Sequence, residues 1–431
     1  MSLTGSSELA KQLNRHLVYE FVRTAGITSR VQIARATQLS KPTVSAIVAE
    51  LIQEGYLREV GARATHVGRP RSLLEFNPRA RYAAGAEIGG QACQVVLTDL
   101  HANVLQSVAI PLPALDVETV LRALVEGVRQ AIRDVDTRYV LGLGVGVPGL
   151  IDPNKNLVTY SVVLGWQEAV PLGDLLSQEL GLRVILLHRV MAAAWGEKWY
   201  GAGQQADHLL YIRVGSGVAA GLILNGQLYL GQTANAGEFG HMTILPDGPL
   251  CHCGNRGCIA ALVASQALIV RARHLLRTEV ASVLPELVQH HLDRLTLDHL
   301  IQAAQNGDPV ATQVIREAGE YLGIAVANLV NLLNPGLVVI GGPLSQAGPC
   351  LFDTLRAEVR RRALSSLLAV AEIIPSQLGP QAAAVGAAGL ILRRVMAPGL
   401  PPGPGAEANA ADAASLPTPA LAHEAVTPRS D

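Results

Sequence analysis

The chain has 431 residues, a formal net charge of −1, 49% hydrophobic residues and 4% aromatic residues. This length predicts two or three domains, and aliphatic residues with few aromatics are typical of α/β proteins. The richest apolar stretch, residues 140–151, is broken by glycine and proline and is too short to cross a bilayer. The N-terminus lacks the order of a signal peptide, so we expect a cytoplasmic protein without a membrane partner.

The charge is unevenly distributed along the chain. Residues 1–81 carry 12 Lys and Arg against 6 Asp and Glu, which leaves 22 of the 34 basic and 29 of the 35 acidic residues for the rest. A basic N-terminal module attached to an acidic body favours a nucleic-acid partner for that module alone.

Three helices are predicted at the start of the chain. Apolar residues recur every four positions in the first helix, at Leu9, Leu13, Leu17 and Phe21, with Val18 and Val22 beside them. This spacing predicts the buried face of a helix that Gly26 ends. Residues 29–32 have the form of a capping box that opens a short second helix, which ends near Thr37.

The third helix has the features of a DNA-recognition helix. Ser40 is a good N-cap, and Gly55 is the C-terminal stop. Its apolar positions predict one buried face, at Val44, Ile47, Val48, Leu51 and Ile52. The opposite face carries small polar groups and one cation that suit a major groove, at Lys41, Thr43, Ser45 and Ala46. The order of these helices predicts a helix-turn-helix.

Two strand-like segments follow, at 56–60 and 73–76, and the residues between them are basic. A hairpin with a basic tip after a recognition helix predicts a wing, whose candidate DNA contacts are Arg63, Arg69 and Arg71. Gly68-Arg69-Pro70 would suit insertion of an arginine into a narrow A·T-rich minor groove. The alternative is a helical protein-interaction domain with a solvated basic loop.

Strand-like and helix-like segments alternate in the body of the chain, which predicts an α/β fold. The strand-like segments are 82–90, 93–100, 140–150, 211–224 and 337–342. Glycine-rich turns at their ends could present backbone N–H groups to phosphates, but ordinary tight turns need glycine as well.

A cysteine motif gives the strongest local signal. Residues 251–258 read CHCGNRGC, and His241 precedes them. Three thiolates and one imidazole suit a structural Zn²⁺ ion, and clustered cysteines in a cytoplasmic protein favour metal over disulfide. The predicted ligands are His241, Cys251, Cys253 and Cys258. His252 is the competing histidine.

Gly237-Glu238-Phe239-Gly240-His241, the cysteine motif and Gly341-Gly342 together resemble the ROK family of repressors, open reading frames and sugar kinases, over residues ~5–396. The resemblance implies an actin-like, ribonuclease-H-like body of two lobes at 81–396. This body would bind an effector in its cleft and form oligomers. A winged helix-turn-helix at 1–80 would precede it, and a late helix at 381–393 would return to the first lobe.

The chain departs from the family's kinases at three places. Glu87-Ile88-Gly89-Gly90-Gln91 stands for Asp-x-Gly-Gly-Thr, and Ala219 replaces a glycine of the second phosphate turn. Arg189 stands where the kinases have the aspartate that acts as general base. Arginine stays protonated and cannot accept a proton from a sugar hydroxyl, so we expect that the chain is not an enzyme.

The family's sugar site is also altered. Glu238 and His241 remain, whereas His188 replaces an asparagine and Ala260 a glutamate. One hypothesis is that His188 and Arg189 shift the preference toward an anionic effector, such as a sugar acid or sugar phosphate. The alternative is that Arg189 pairs with Glu197 or Glu238 and the pocket binds nothing.

The sequence thus predicts a DNA-binding repressor of carbohydrate-related genes that acts as a homodimer or homotetramer on a double-stranded operator. One alternative is a ROK sugar kinase with an appended DNA-binding module. Another is a zinc-stabilised scaffold whose basic module binds protein. Residues 397–431 are rich in Pro, Ala and Gly and are predicted to be a disordered tail.

Overall fold

The computed structural model describes residues 4–63, 71–278 and 280–396. The predicted tail at 397–431 and the candidate DNA contact Arg69 lie outside the described residues. Among the helices of the described part, none is long and apolar enough to span a membrane.

The N-terminal module is a three-helix unit with a small sheet. It consists of α1 (Thr4–Ala25), β1 (Thr28–Ser29), α2 (Arg30–Thr37), α3 (Lys41–Gln53), β2 (Leu57–Arg63) and β3 (Arg71–Phe76). The sheet has the strand order β1-β3-β2. The predicted helices and hairpin are confirmed.

The predicted buried face of α1 is confirmed at Val18 and Val22 and is wrong at its three leucines. Val18, Tyr19 and Val22 are buried, whereas the leucines at the four-residue spacing are 44–50% exposed, at Leu9, Leu13 and Leu17. A spacing of four residues advances about 40° per step around an α-helix, so the stripe winds away from the core. The hydrophobic core of the module therefore takes its α1 residues from the C-terminal half of the helix, whereas Lys11 contacts α3 through an ion pair with Glu50 (3.3 Å).

The first lobe is built on a mixed sheet with the order β10-β7-β4-β5-β6. Its elements are β4 (Tyr82–Ile88), β5 (Ala92–Thr98), β6 (Val104–Pro111), α4 (Val117–Ile132), β7 (Val140–Val147), β8 (Leu150–Asp152), β9 (Leu157–Tyr160), α5 (Leu172–Leu180), β10 (Val184–His188) and α6 (Arg189–Tyr200). The strands β4, β7 and β10 are parallel, and their central residues are buried. Strands of this kind are buried on both faces, because helices cover the sheet.

The second lobe is built on a sheet with the order β13-β12-β11-β14-β15. Its elements are β11 (Leu209–Val214), β12 (Val218–Leu224), β13 (Gln227–Leu228), α7 (Ile259–Val263), α8 (Ser265–Leu275), α9 (Leu284–Leu287), α10 (Leu297–Gln305), α11 (Pro309–Leu333), β14 (Leu337–Gly341), α12 (Pro349–Arg362), α13 (Ser365–Leu368) and β15 (Glu372–Pro375). Along β11, Leu210 and Ile212 pack into this lobe's core, whereas Leu209 and Tyr211 belong to the core that contains α6. The sheet therefore separates the two cores, and the expected two-lobed α/β architecture is confirmed.

The last helix, α14 (Ala382–Met396), returns to the first lobe as predicted. Glycines of three neighbouring elements face its backbone: Gly85 of β4, Gly144 of β7 and Gly196 of α6. A Cβ atom at Gly196 would lie 2.6 Å from the Ala382 carbonyl oxygen. Only glycine permits so close an approach, so these residues set the position of α14 against the sheet and α6.

The N-terminal module and the first lobe share one hydrophobic core. Val22 and Phe76 of the module belong to the same cluster as Val96 of β5 and Ala388 of α14. Arg81, at the junction, donates a hydrogen bond to the Glu54 carbonyl oxygen (3.2 Å), and its guanidinium lies 5.0 Å from the centre of the Tyr56 ring. The module is therefore held against the body by a continuous apolar interface.

We expect the substitution Gly386→Ala to lower the free energy of unfolding by about 1–3 kcal/mol. The added methyl group would overlap the Ala192 carbonyl oxygen and the Gly196 backbone and force α6 and α14 apart. Urea unfolding of the full chain measures the effect. Gly90→Ala is the matched control, because a Cβ atom there would meet no atom within 4 Å. Equal stability of the two variants would contradict the close packing.

Candidate functional site

The helix-turn-helix is fixed by local hydrogen bonds that the sequence encodes. Ser29 caps α2 by accepting a hydrogen bond from the Gln32 N–H (3.4 Å), and Ser40 caps α3 by accepting one from the Thr43 N–H (3.2 Å). Gln38 ends α2 in the left-handed region with φ 58°. The two caps and this turn set the angle at which α3 leaves α2.

Burial divides α3 into two faces. Val44, Ile47, Val48 and Leu51 are buried against α1, α2 and the sheet. Lys41, Ser45 and Ala46 are exposed, and Thr43 is half-buried and shares a hydrogen bond with Ser40 (2.7 Å). The four predicted major-groove residues thus lie at the exposed N-terminal end of the helix, where a recognition helix meets base edges.

The wing is an antiparallel pair of strands after α3. The backbone of Arg63 in β2 pairs with that of Arg71 in β3, at the outer end of the hairpin. At the inner end, Arg58 forms an ion pair with Glu75 (2.6 Å), and Arg30 of α2 forms one with Glu59 (3.0 Å). These ion pairs link β2 to β3 at the base of the wing and link β2 to α2.

The predicted metal ligands lie together. One ligand atom each of His241, Cys251, Cys253 and Cys258 lies within 4.8 Å of the others. Cys253 Sγ is 3.8 Å from Cys258 Sγ, and Cys251 Sγ is 3.7 Å from His241 Nδ1. A tetrahedron with metal–sulfur bonds of about 2.3 Å has edges of roughly 3.8 Å, so these spacings fit one tetrahedral ion. The competing His252 is not in the group.

Without a cation between them, the clustered thiols would not ionise over the same pH range. The Asn255 backbone N–H lowers the pKa of Cys253 to about 7. Burial and the neighbouring thiols raise the pKa of Cys258 to about 12. A divalent ion removes this conflict, because a bound thiol is deprotonated by the metal itself. Three thiol sulfurs and a ring nitrogen form the donor set that structural zinc sites use.

A cleft of about 1560 Å³ separates the lobes. His188, Arg189, Arg213, Glu238 and His241 line it, and Cys251 and Cys253 belong to its wall. His241 Nδ1 faces the cysteines, whereas its Nε2 lies 3.8 Å from a Glu238 carboxylate oxygen. The contact with the cysteines therefore orients the histidine ring so that its other nitrogen faces Glu238 and the cleft.

Glu238 is positioned at the cleft by the residues on either side of it. Gly237 has φ 97°, a region that favours glycine, and its Cα lies against the Ala220 carbonyl oxygen. Phe239, which follows Glu238, is buried in the core of the second lobe. The buried phenylalanine and the close backbone contact leave the Glu238 side chain half-exposed toward the cleft.

Arg189 is the first residue of α6 and is buried, with 6% of its surface exposed. Its Nη1 lies 3.9 Å from Glu87 Oε1 and 3.5 Å from the Ile88 carbonyl oxygen. Burial, opposed by Glu87, lowers its pKa to about 10, so it is protonated at neutral pH. Arg213 of β11 lies closer to the same Glu87 oxygen, at 3.1 Å.

The interpretation that Arg189 pairs with Glu197 or Glu238 is wrong. Glu197, fully buried in α6, accepts hydrogen bonds from the backbone N–H groups of Ala202 and Leu378 (both 3.0 Å) and from the Ser376 hydroxyl. These bonds tie the end of α6 to the segment after β15. Arg189 pairs instead with Glu87, which replaces the aspartate of the first phosphate turn.

His188 caps α6, and its Nδ1 accepts a weak hydrogen bond from the Val190 N–H (3.4 Å). Burial, Arg189 and Arg213 together lower the pKa of His188 to about 4. The ring is therefore neutral at pH 7, and it adds no positive charge to the floor of the cleft.

Sequence reasoning identified the change from aspartate at Glu87 but missed its partner Arg213. The two residues are 126 positions apart and belong to different sheets. The local signal for this partner was the position of Arg213, which lies in an otherwise apolar strand two residues before Gly215.

Comparison with known proteins gives matches over both parts of the chain. The family model described as the ROK family matches residues 83–394, and the model described as the IclR helix-turn-helix domain matches residues 24–61. The chain is 31% identical over 397 residues to the DNA-binding transcriptional dual regulator NagC of Escherichia coli, covering 91% of this chain and 95% of that protein. It is 32% identical over 391 residues to the xylose repressor of Caldicellulosiruptor bescii, covering 90% and 97%.

Solved structures of two kinds resemble the fold. A ROK family transcriptional regulator, a homolog of the Escherichia coli MLC protein, matches with a TM-score of 0.76 and 27% identity over 90% of this chain and 97% of that chain. A ROK family glucokinase from Streptomyces griseus, solved with glucose and AMPPNP, matches with a TM-score of 0.66 and 32% identity over 72% and 98%. The match to the regulator includes the N-terminal part of the chain.

Proposed function

Since this chain belongs to the ROK family and has its two-lobed actin-like fold, we propose that it is a DNA-binding transcriptional repressor of sugar-utilisation genes. The observation that carries the proposal is the exposed N-terminal end of α3, presented by a winged helix-turn-helix that is packed onto the body. The relatives that match over nine-tenths of the chain are regulators of transcription, among them a xylose repressor.

In this function, residues 1–80 bind the operator and residues 81–396 bind the effector and form the oligomer. The proposed DNA contacts are Lys41, Thr43, Ser45, Ala46, Arg63, Arg69 and Arg71. The exposed small side chains of α3 suit base edges, and the arginines suit phosphates and the minor groove. A homodimer or homotetramer would present two such modules to a pseudo-palindrome with half-sites about one helical turn apart, or a multiple of it.

The cleft is the proposed effector site. Glu238 and His241 would bind vicinal hydroxyls of a sugar, and His188 and Arg189 would contact the rest of the ligand. Helix α6 connects this site to the DNA module: it begins with Arg189 in the cleft and ends with Tyr200, which packs against the core shared with the module. A ligand that moves α6 would therefore move the module as well, and the spacing of the two recognition helices would change.

We assign a structural zinc ion to His241, Cys251, Cys253 and Cys258. The zinc ion would have no open coordination position for a substrate, because the protein supplies all four donor atoms. Its role would be to fix the loop at 251–258 and the ring of His241 beside Glu238, as a supporting group behind the effector site.

The glucokinase relative makes catalysis the main alternative. Two features of the described cleft argue against it. Arg189 stands at the position of the general base and stays protonated, and the carboxylate of Glu87 is engaged by Arg213. General-base catalysis contributes typically ~10²–10⁴-fold in rate, so its loss removes most kinase activity.

We expect Lys41→Ala to weaken operator binding and to reduce the slope of log affinity against log salt by about 1, because one phosphate contact is lost. The operator is first identified by genome-wide mapping of DNA bound by the full chain. Binding to that fragment is then measured at several salt concentrations. Lys155→Ala, an exposed lysine of the first lobe, is the control for charge. An unchanged affinity and slope in the Lys41 variant would remove α3 from the interface.

We expect the purified chain to contain about one zinc ion per molecule and Cys253→Ser to lose it, with a fall of several degrees in the unfolding temperature. Elemental analysis and thermal unfolding measure the two effects. Cys350→Ser is the matched control, since that thiol lies outside the cluster. Full zinc content in the Cys253 variant would overturn the assignment of this ligand.

We expect no ATP-dependent phosphorylation of glucose, xylose or N-acetylglucosamine, because the cleft has no base at the position of Arg189. A coupled ADP assay measures the activity, with a sugar kinase of known activity as positive control. Turnover of any of these sugars above background by the unmodified chain would favour the kinase alternative.

A further inference from the structure

Two arginines from different lobes converge on one glutamate at the floor of the cleft. Arg213 Nη2 lies 3.1 Å and Arg189 Nη1 lies 3.9 Å from the same oxygen, Glu87 Oε1. Glu87 and Arg189 have less than a tenth of their side chains exposed, and Arg213 has 18%. All three groups are therefore largely removed from water.

The charge of this cluster is not balanced. Two guanidinium groups face one carboxylate, and His188 beside them is neutral at pH 7 because its pKa is lowered to about 4. The remaining arginine of the cleft wall, Arg271, is already paired with Glu317 at 2.7 Å. The other carboxylates of the wall, Glu238 and Glu320, form no ion pair with Arg189 or Arg213 in the described residues. An excess positive charge in a partly desolvated site is unfavourable unless a further anion compensates it.

The geometry leaves donor capacity for such an anion. An arginine has five N–H donors, whereas the bonds of Arg189 to Glu87 and to the Ile88 carbonyl oxygen are at the outer limit of such contacts. Arg213 Nη1 lies beside the turn that begins at Gly215, 3.2 Å from the point that a Cβ atom there would occupy. Ser216 and Gly217 of that turn also line the cleft.

We propose that Arg213 and Arg189 form a subsite for an anionic group of the effector, a phosphate or carboxylate carried by a sugar, with Glu87 as their counter-ion when the effector is absent. This proposal rests on the proposed function of the cleft as an effector site. It deepens that function by adding Arg213 and by naming the class of ligand.

A planar guanidinium binds phosphate or carboxylate through two parallel hydrogen bonds, which a neutral sugar hydroxyl cannot reproduce. Binding at this subsite would also draw the two lobes together. Glu87 and Arg189 belong to the first lobe, and Arg213 belongs to the second. An anion shared by both arginines would replace a single carboxylate contact by a bridge across the floor of the cleft.

The rival interpretation is an ion cluster that only fastens the lobes. The two interpretations differ in the effect of Glu87. If the cluster is only a fastener, Glu87→Gln destabilises the chain and anions do not compensate. If it is a subsite, the same variant has two arginines without their counter-ion, and it binds anions more tightly than the unmodified chain.

The test uses calorimetry and thermal unfolding of the full chain with matched pairs of probes. The pairs are glucose and glucose 6-phosphate, and N-acetylglucosamine and its 6-phosphate. Gluconate supplies a carboxylate, and inorganic phosphate supplies the free anion. We expect at least one anionic sugar to bind about 10-fold or more tightly than its neutral partner, as charge-assisted hydrogen bonds are the stronger class.

We expect Arg213→Gln to abolish this preference without weakening the neutral sugar, and Glu87→Gln to increase the stabilisation by inorganic phosphate. Arg213→Lys keeps the charge but cannot form two parallel hydrogen bonds, so its preference for anionic over neutral sugars should be intermediate. Arg138→Gln, an exposed arginine of the first lobe, is the control. Phosphate that binds as tightly as the sugar phosphates, and depends on Arg213, would support the subsite and assign it to a free anion.

Three results would overturn the proposal: binding of no anionic probe, equal binding of neutral and anionic partners, or a preference that survives in Arg213→Gln. Operator binding by the same preparations separates this failure from failure of the proposed function. A chain that binds its operator but no anion remains a repressor with a different ligand, whereas a chain that binds neither overturns both.

Discussion

The close packing of α14 against α6 and the first sheet is the constraint on which the other features depend. Gly85, Gly144 and Gly196 face the backbone of α14, and Gly386 faces α6 in return. Because α14 lies close to the sheet, other residues of the same helix, such as Ala388, also pack into the hydrophobic core of the N-terminal module. Helix α6, held by the same contact, reaches from the cleft to that core. One tightly packed pair of helices thus positions both the cleft and the helix-turn-helix module.

The cleft retains the framework of a phosphotransfer site but has different charges. Where a kinase needs an aspartate as base and open turns for phosphates, this chain places Arg189 and Arg213 around Glu87. A carboxylate base would be exposed to substrate, whereas Glu87 is buried between two cations. Under the proposed function, this exchange would convert a site that moves a proton into one that attracts negative charge.

Sequence reasoning succeeded where a signal is local. Ser29, Ser40 and the spacing of the cysteines each involve residues within a few positions, so caps, helices and the Cys/His cluster followed directly from the sequence. It failed where the outcome depends on distant elements. The exposure of Leu13 depends on how the other helices of the module pack against α1, and the partner of Glu87 comes from another sheet. The assignment of particular side chains to DNA or effector stays a prediction.

The shared core of module and body also bears on how such regulators are recombined. A module that ends in an independent fold can be exchanged at its linker, but here Phe76 and His101, whose ring centres are 5.0 Å apart, lie on opposite sides of the boundary. Arg81 stacks on Tyr56 of the module and on Tyr139 of the body. In a chimera with a foreign N-terminal module, the contact surfaces of the module and of the body must therefore be complementary. Under the proposed function, operator specificity and effector response would therefore be inherited together unless this interface is redesigned.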